Sequence, residues 1–340
     1  MSSTQIPNSP DAAPSSRILS NKKWRDTALF AGLFLLVIIG LIGVAAATGW
    51  HETWAQIQKL ALWQVAALLV LSLINYVLRG LRWHVFVRRL GLDLGVIANM
   101  RHFLGGFAMS VTPGRLGELV RMRWIRRETG ALSEKTAPLM LMDRASDLAV
   151  MALLLAAGLL AAASGTKGAL PVVIIALIAA IVVTRPALFN YAVNGAYRII
   201  GRKPRLFVRI RRASQSLEQF SHLPTICAAT LLGGLGWFAE GAAFYYLMTW
   251  MGADISLATC VVIFVFSTLA GGLTGAPGGV GGAEAAMVAL LTIEGIPLSM
   301  SLPATAVIRL TTLWFAIAIG FIIFPIAEKY SRRGAYALEN

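Results

Sequence analysis

Apolar residues run along this chain in long blocks separated by short polar ones. Blocks from about Thr27 to Thr48, from Leu60 into Asn75 and Tyr76, and from Ala137 to Ala163 fill the first half. Others run from Ala169 to Thr184, from Pro224 to Trp250 and from Pro303 to Ile326. Blocks of this kind predict six helices able to cross a hydrocarbon core of about 30 Å. Two further apolar regions do not fit that pattern. Met100 to Ser110 is too short to cross, breaks at Thr112, Pro113 and Gly114, and continues into Arg115, Arg121, Arg123, Arg126 and Arg127. Leu257 to Leu273 and Ala283 to Ile293 flank a second break. We read both as re-entrant helical hairpins. The predicted fold class is an all-α polytopic membrane protein of about six spanning helices and two re-entrant hairpins, built as an inverted-topology repeat.

The breaks carry most of the information. Gly271 to Glu284 reads GGLTGAPGGVGGAE, in which eight of fourteen residues are Gly or Pro. Gly105 to Glu118, GGFAMSVTPGRLGE, has the same design. Irregular backbone has no partners for its N–H and C=O groups in lipid, so it occurs at membrane depth only inside protein or beside a wet cavity. The break positions are Pro113, Gly114 and Gly117 in the first hairpin, and Pro277, Gly278, Gly279, Gly281 and Gly282 in the second. The other reading is a close-packed helix interface of small residues, but Pro-Gly at matched positions breaks helices. Gly80 and Gly91 match Gly241 and Gly252 at an offset of 161, Pro113 matches Pro277 at 164, and Arg144 matches Arg309 at 165. Paired broken segments in corresponding places point to a transporter site. The expected organisation is a disordered tail (1–20), then one membrane domain (21–340). That domain holds repeat one (about 60–163), repeat two (about 224–326) and a basic cytoplasmic loop (185–222).

Composition supports this reading: the chain is 57% hydrophobic and 14% charged, with mean hydropathy +0.70. The net charge of +14 raises nucleic acid as a partner, but the charges sit in short loops. With the proposed spans, 26 of 30 Lys and Arg fall on one side, as the positive-inside rule expects of cytoplasmic loops. Both termini are then cytoplasmic, the location is the plasma (inner) membrane, and no nucleic-acid partner is expected. Tyr191 and its apolar neighbours among the basic residues of the 185–222 loop lie along the anionic leaflet or form a solvated linker. Two cysteines and four scattered histidines have no ligand spacing, so neither a metal nor a disulfide framework is expected. Walker, HExxH and nucleophile-elbow motifs do not occur; the expectation is no enzyme, no catalytic residue and no cofactor.

Ionisable residues inside a membrane are costly and default to functional candidates. Here they are Arg115 and Glu118 at the first hairpin, Asp143, Arg144 and Asp147 on the third span, Glu240 on the fifth, Glu284 at the second hairpin and Arg309 on the last span. Asp143 and Asp147, four apart, share a helix face, with Arg144 turned about 100° away. Arg144 and Arg309 are each expected roughly 10 Å from opposite membrane faces. Free N–H groups after each Pro-Gly break, together with arginine, suit a phosphate. The structural alternative is pairing of Arg144 with Asp147, Arg309 with Glu284, and Arg115 with Glu118.

The segments FLGGFAMSVTPGRLGELVRMRW, MDRASDLAVMALLL, GGLTGAPGGVGGAEAAMVALL and AVIRLTTLWFAIAIG resemble a known family over about residues 25 to 328. The sequence is similar to the flippase-like membrane domain of lysylphosphatidylglycerol synthase. In two-part members that domain is taken to translocate an aminoacylated lipid. The resemblance therefore implies lipid translocation, with Arg115, Glu118, Asp143, Arg144, Asp147, Glu284 and Arg309 in the matching motifs. The sequence ends at Asn340 without an aminoacyl-transferase domain, so a lysyl-lipid is not the expected cargo. Stand-alone relatives are associated with glycolipid, polyprenyl-linked or hopanoid lipids. The resulting expectation is a flippase or scramblase for an anionic-headgroup lipid; the alternative is an accessory subunit docking through the basic loop. The candidate protein partners are a lipid-biosynthesis enzyme and a second copy of the chain.

Overall fold

The computed structural model describes residues 60–112, 117–162 and 218–339, with the isolated positions Ala55, Gln58 and Tyr191. These belong to the compact unit of residues 44–340. The expected spans at 27–48 and 169–184, the tail and most of the basic loop lie outside the described residues.

The first half begins with α1 (Leu62–Arg89), whose first turn is held by Gln64 Oε1 accepting from Ala61 N at 2.8 Å. Then come α2 (Val96–Gly105), a 3-10 turn (Gly106–Val111), α3 (Gly117–Thr129) and α4 (Ser133–Ala162). The second half has α5 (Leu223–Trp250), α6 (Leu257–Leu273), a 3-10 turn (Pro277–Gly279), α7 (Gly282–Ile293) and α8 (Leu298–Arg309). A π-helical turn (Leu310–Trp314) joins α8 to α9 (Phe315–Glu339). Among the described residues, four helices are long and apolar enough to cross a membrane: Leu62–Arg89, Lys135–Ala161, Leu223–Trp250 and Leu298–Gly334. The protein is an all-α polytopic membrane protein.

The element boundaries repeat. Helices α1 and α5 are both 28 residues long, and each ends one residue before a glycine-containing turn, with φ of 69° at Gly91 and 88° at Gly252. Helices α4 and α8 begin 165 residues apart, and each carries a proline six residues in, Pro138 and Pro303. Sequence reading started both spans near these prolines. The helices in fact begin earlier, at Ser133 and Leu298, because a proline near a helix start forfeits few hydrogen bonds. The last helix also runs past Ile326 to Glu339, through Pro325.

Helices α1 and α5 lie antiparallel along their whole length. Trp63, in the first turn of α1, meets Trp250, in the last of α5, with ring centroids 5.2 Å apart. At the other end Arg89 Nε donates to the carbonyl of Gln219 at 3.0 Å, just before α5. Near the middle, positions 161 residues apart face each other, since a Cβ at Gly236 would sit 2.8 Å from Asn75 Oδ1. The Tyr76 hydroxyl of α1 also donates to the Thr312 carbonyl in the π-helical turn, a turn that frees carbonyls from the regular ladder.

Each closing helix packs on the hairpin of the other half. Helix α4 lies against α6, where a Cβ at Gly158 would fall 2.6 Å from Val262 Cγ2. Helix α9 lies against α2, the first 3-10 turn and α3. There a Cβ at Gly320 would fall 2.2 Å from the backbone nitrogen of Ala108. Glu328 of α9 reinforces the contact, accepting from Arg123 Nη2 at 2.7 Å, Trp124 Nε1 at 2.9 Å and Arg127 Nη1 at 2.7 Å. The two 3-10 turns, Gly106–Val111 and Pro277–Gly279, touch, while the first break itself, at Pro113 and Gly114, lies outside the described residues. One apolar cluster gathers Phe244, Phe264, Met287 and Ile308 around the second hairpin, and another gathers Trp83, Phe103, Ile125 and Leu139 around the first.

Gly320→Val should lower the thermal unfolding midpoint of detergent-purified protein, since overpacking against backbone costs about 1–3 kcal/mol or more. Gly234→Ala, where an added Cβ meets nothing within 4 Å, is the control expected to leave the midpoint unchanged.

Candidate functional site

Between the two apolar clusters lies a group of buried charges. Asn75, Arg79 and Arg82 fall at four- and three-residue spacing on α1, hence on one stripe. That stripe meets Asp143 and Asp147, one turn apart on α4. Arg82 Nη2 donates to Asp143 Oδ1 at 2.6 Å and to Asp147 Oδ1 at 2.7 Å. Arg79 Nη2 donates to Asp147 Oδ2 at 2.7 Å. Trp237 Nε1 of α5 adds a donor to Asp147 Oδ1 at 3.1 Å. From α3, Arg121 Nη1 lies 3.7 Å from Asp143 Oδ2, and its Nη2 donates to the Phe103 carbonyl at 3.1 Å. Arg144 completes the group, 3.3 Å from Asp143 and 3.5 Å from Asp147.

Aromatic faces carry part of the charge load. The Arg79 guanidinium sits 4.6 Å from the Trp237 ring centroid, and that of Arg121 sits 4.4 Å from Phe103, both within cation–π range. Burial differs within the group: the Arg82 side chain is fully buried, whereas that of Arg144 is 30% exposed. Arg144 is thus the member that a molecule outside the bundle can reach.

Glycines make the space for these side chains. A Cβ at Gly233 would lie 2.8 Å from Arg82 Nη1, and one at Gly106 would lie 2.2 Å from Arg121 Nε. Gly106 belongs to the first Gly-Gly pair. There, part of the function of the glycines is to seat an arginine.

The second hairpin is closed by its own ion pair. Arg309 Nε lies 2.5 Å from Glu284 Oε1, and its Nη2 donates to the Gly278 carbonyl at 2.9 Å. Glu284 Oε2 in turn accepts from Gly281 N at 2.7 Å. Gly278 and Gly281 have φ of 62° and 87°, a region open to glycine at little cost. Arg309 therefore holds the break in shape, and Glu284 covers the N-terminus of α7 where a phosphate was anticipated.

Several expected site residues are brought together and others are not. Asp143, Arg144 and Asp147 form the core of one cluster and Glu284 and Arg309 form a separate pair. Of the three pairings offered as the structural alternative, Arg144 with Asp147 and Arg309 with Glu284 are present, and that of Arg115 with Glu118 lies outside the described residues. Arg144 and Arg309 each lie eleven residues into their helices, roughly 16 Å along the axis, deeper than the 10 Å expected because both helices start earlier. Pro113, Gly114 and Arg115 lie outside the described residues, and Gly117 and Glu118 open α3.

Sequence reading missed Arg79, Arg82 and Arg121, which it counted among the cytoplasmic positive charges. All three are buried. The available signal was the unbalanced pair Asp143 and Asp147, which needs cations, together with the helical stripe of Asn75, Arg79 and Arg82. Of the four arginines of α1, Arg88 and Arg89, at its last turn, are the exposed ones.

Arg82→Leu removes the fully buried cation shared by two buried carboxylates and should destabilise the protein by about 3–5 kcal/mol. Adding Asp143→Asn should recover part of that loss. A thermal-unfolding double-mutant cycle measures the coupling, and additive losses would show that this pair does not hold α1 to α4.

Comparison with known proteins places this arrangement in a family. A UPF0104 membrane protein of Methanothermobacter thermautotrophicus is 26% identical over 318 residues, covering 86% of this chain and 94% of the relative. A second match to a UPF0104 membrane protein of that organism is 27% identical over 105 residues, 31% of either chain. A family model described as the lysylphosphatidylglycerol synthase TM region matches residues 29–320, which include the Arg79–Asp147 cluster and both hairpin breaks. The chain belongs to the family of the lysylphosphatidylglycerol synthase transmembrane region.

Proposed function

We propose that this protein moves lipids with an anionic headgroup between the leaflets of the plasma membrane, as a flippase or scramblase without enzymatic activity. The observation that carries the reading is a cluster of four arginines around two aspartates inside an apolar helical body, with one of the arginines, Arg144, partly exposed. Among the described residues, Arg79, Arg82, Arg121 and Arg144 gather around Asp143 and Asp147, with Glu240 nearby. Apolar side chains of similar size would hold helices together at lower cost. A cluster rich in guanidinium groups suits a transient phosphate.

Arg144 is the entry point in this scheme. It is partly exposed, and its bonds to Asp143 and Asp147, at 3.3 and 3.5 Å, are longer than those of Arg82. A lipid phosphate can therefore recruit Arg144 as a bidentate donor while Arg79 and Arg82 keep both aspartates satisfied. The acyl tails stay in lipid. The antiparallel pairing of α1 and α5 supports two halves of opposite topology, with both termini cytoplasmic, as in transporters built from inverted repeats. The name of the family, which refers to a lipid synthase, supports a lipid as cargo.

Leaflet exchange of fluorescent lipids by the purified protein in liposomes tests the reading. Phosphate-bearing probes should exchange, and Arg144→Ala should slow them about tenfold or more, since a hydrogen bond to a charged group contributes about 1.5–3 kcal/mol. Its unfolding midpoint should stay near that of the wild type. Arg309→Ala should lower both exchange and the unfolding midpoint, because it releases the second break. Absence of exchange with anionic, zwitterionic and polyprenyl-phosphate probes would favour an accessory subunit that docks through the basic loop.

A further inference from the structure

Glu240 has no part in the cluster of ion pairs just described. It lies mid-helix on α5, 5% exposed. It occupies the position 161 residues after Arg79, so the two are matched residues of the antiparallel pair α1 and α5. Its surroundings on each packed element are unequal. Helix α1 presents Asn75, Tyr76 and Arg79, α4 presents Asp147, and α8 presents Arg309. The sequence of α6, LATCVVIFVFSTLAGGL, carries no charge. No salt bridge to Glu240 occurs among the described residues, whereas Arg79 is already committed to Asp147 at 2.7 Å and Arg309 to Glu284 at 2.5 Å.

We propose that Glu240 is the proton-binding site of this protein, and that its loading and unloading is coupled to movement of the anionic lipid. This rests on the transport reading above. The Arg79 side chain supplies the link. Its Nη2 is held by Asp147, while its Nε is buried and has no hydrogen-bond partner among the described residues. An ionised Glu240 competes with Asp147 for Arg79, and a protonated Glu240 does not. When a phosphate draws Arg144 away from Asp143 and Asp147, those aspartates depend more heavily on Arg79 and Arg82. Arg79 is then less available to Glu240, and an ionised carboxylate left there without a cation carries the full cost of burial. Binding of the anion therefore brings a proton onto Glu240, and release of the anion lets it go. One proton joins a carboxylate oxygen as one anionic headgroup is bound, which also lowers the net charge carried across.

Two measurements on the full-length protein test this. Infrared difference spectra in light and heavy water, recorded across a pH series, should show a protonated-carboxyl band that titrates. The band should vanish in Glu240→Gln and return, shifted, in Glu240→Asp. In liposomes with a pH gradient, the steady-state leaflet ratio of an anionic probe should change by up to about tenfold per pH unit for one proton per lipid. That response should disappear in Glu240→Gln. Size-exclusion profiles of both variants confirm folding, and the aspartate variant keeps the test open if the glutamine variant unfolds. A titrating band without lipid exchange would sink the transport reading but leave the proton site. Exchange indifferent to the gradient, with no band assigned to Glu240, would sink the proton site and leave transport.

Discussion

Arg82 has no exposed side-chain surface, yet it donates to Asp143 and Asp147 at once, and the arrangement of the first half depends on that fork. Two aspartates one turn apart on α4 repel each other and cannot both be buried as anions without a cation between them. Supplying that cation from α1 sets how α1 and α4 meet, and Gly233 of α5 must be small for the guanidinium to fit. A salt bridge of this kind is weak evidence of added stability, because desolvation offsets attraction. Its consequence is specificity: one rotation of α1 against α4 satisfies the group, and others leave bare charge in an apolar interior.

The two halves use the same elements for different chemistry. Matched positions hold Arg79 and Glu240, Asn75 and Gly236, and Tyr76 and Trp237, so the antiparallel seam is symmetric in backbone and asymmetric in charge. In the first half, Arg144 shares two aspartates and keeps part of its side chain accessible. In the second, the matched Arg309 is engaged by Glu284 and by the Gly278 carbonyl. The second arginine thus maintains the irregular backbone of a break. The second break has four positive-φ glycines within seven residues, a backbone with few restraints of its own, and Arg309 supplies one by donating to the Gly278 carbonyl.

Exchange of closing helices between halves has a mechanical consequence. Helix α9 is bound to the first hairpin by Gly320 and Glu328, and α4 to the second hairpin by Gly158. Neither hairpin can shift without moving a helix of the other half, and their 3-10 turns touch. Packed helices therefore link the two hairpins directly.

Most of the architecture was legible in the sequence. Apolar block length dictates the spanning helices, because a hydrocarbon layer admits only backbone that satisfies itself. Gly and Pro clusters mark the breaks for the same reason, and a constant offset of 161 to 165 residues reveals the repeated order of elements. The intramembrane acids were equally visible, since Asp143, Asp147 and Glu240 stand alone in apolar surroundings. What the chain alone did not decide was where the arginines of α1 and α3 go. Arg79, Arg82, Arg88 and Arg89 look alike as a basic helix end, and a count of charges assigns them all to water. Which of them turn inward is decided by helices distant in sequence, where Asp143 and Asp147 lie on α4, 61 to 68 residues on, and Gly233 leaves room on α5. Periodicity reports which residues share a face of one helix, but the partner of a buried charge is a property of two helices in contact, and only the tertiary structure brings them together.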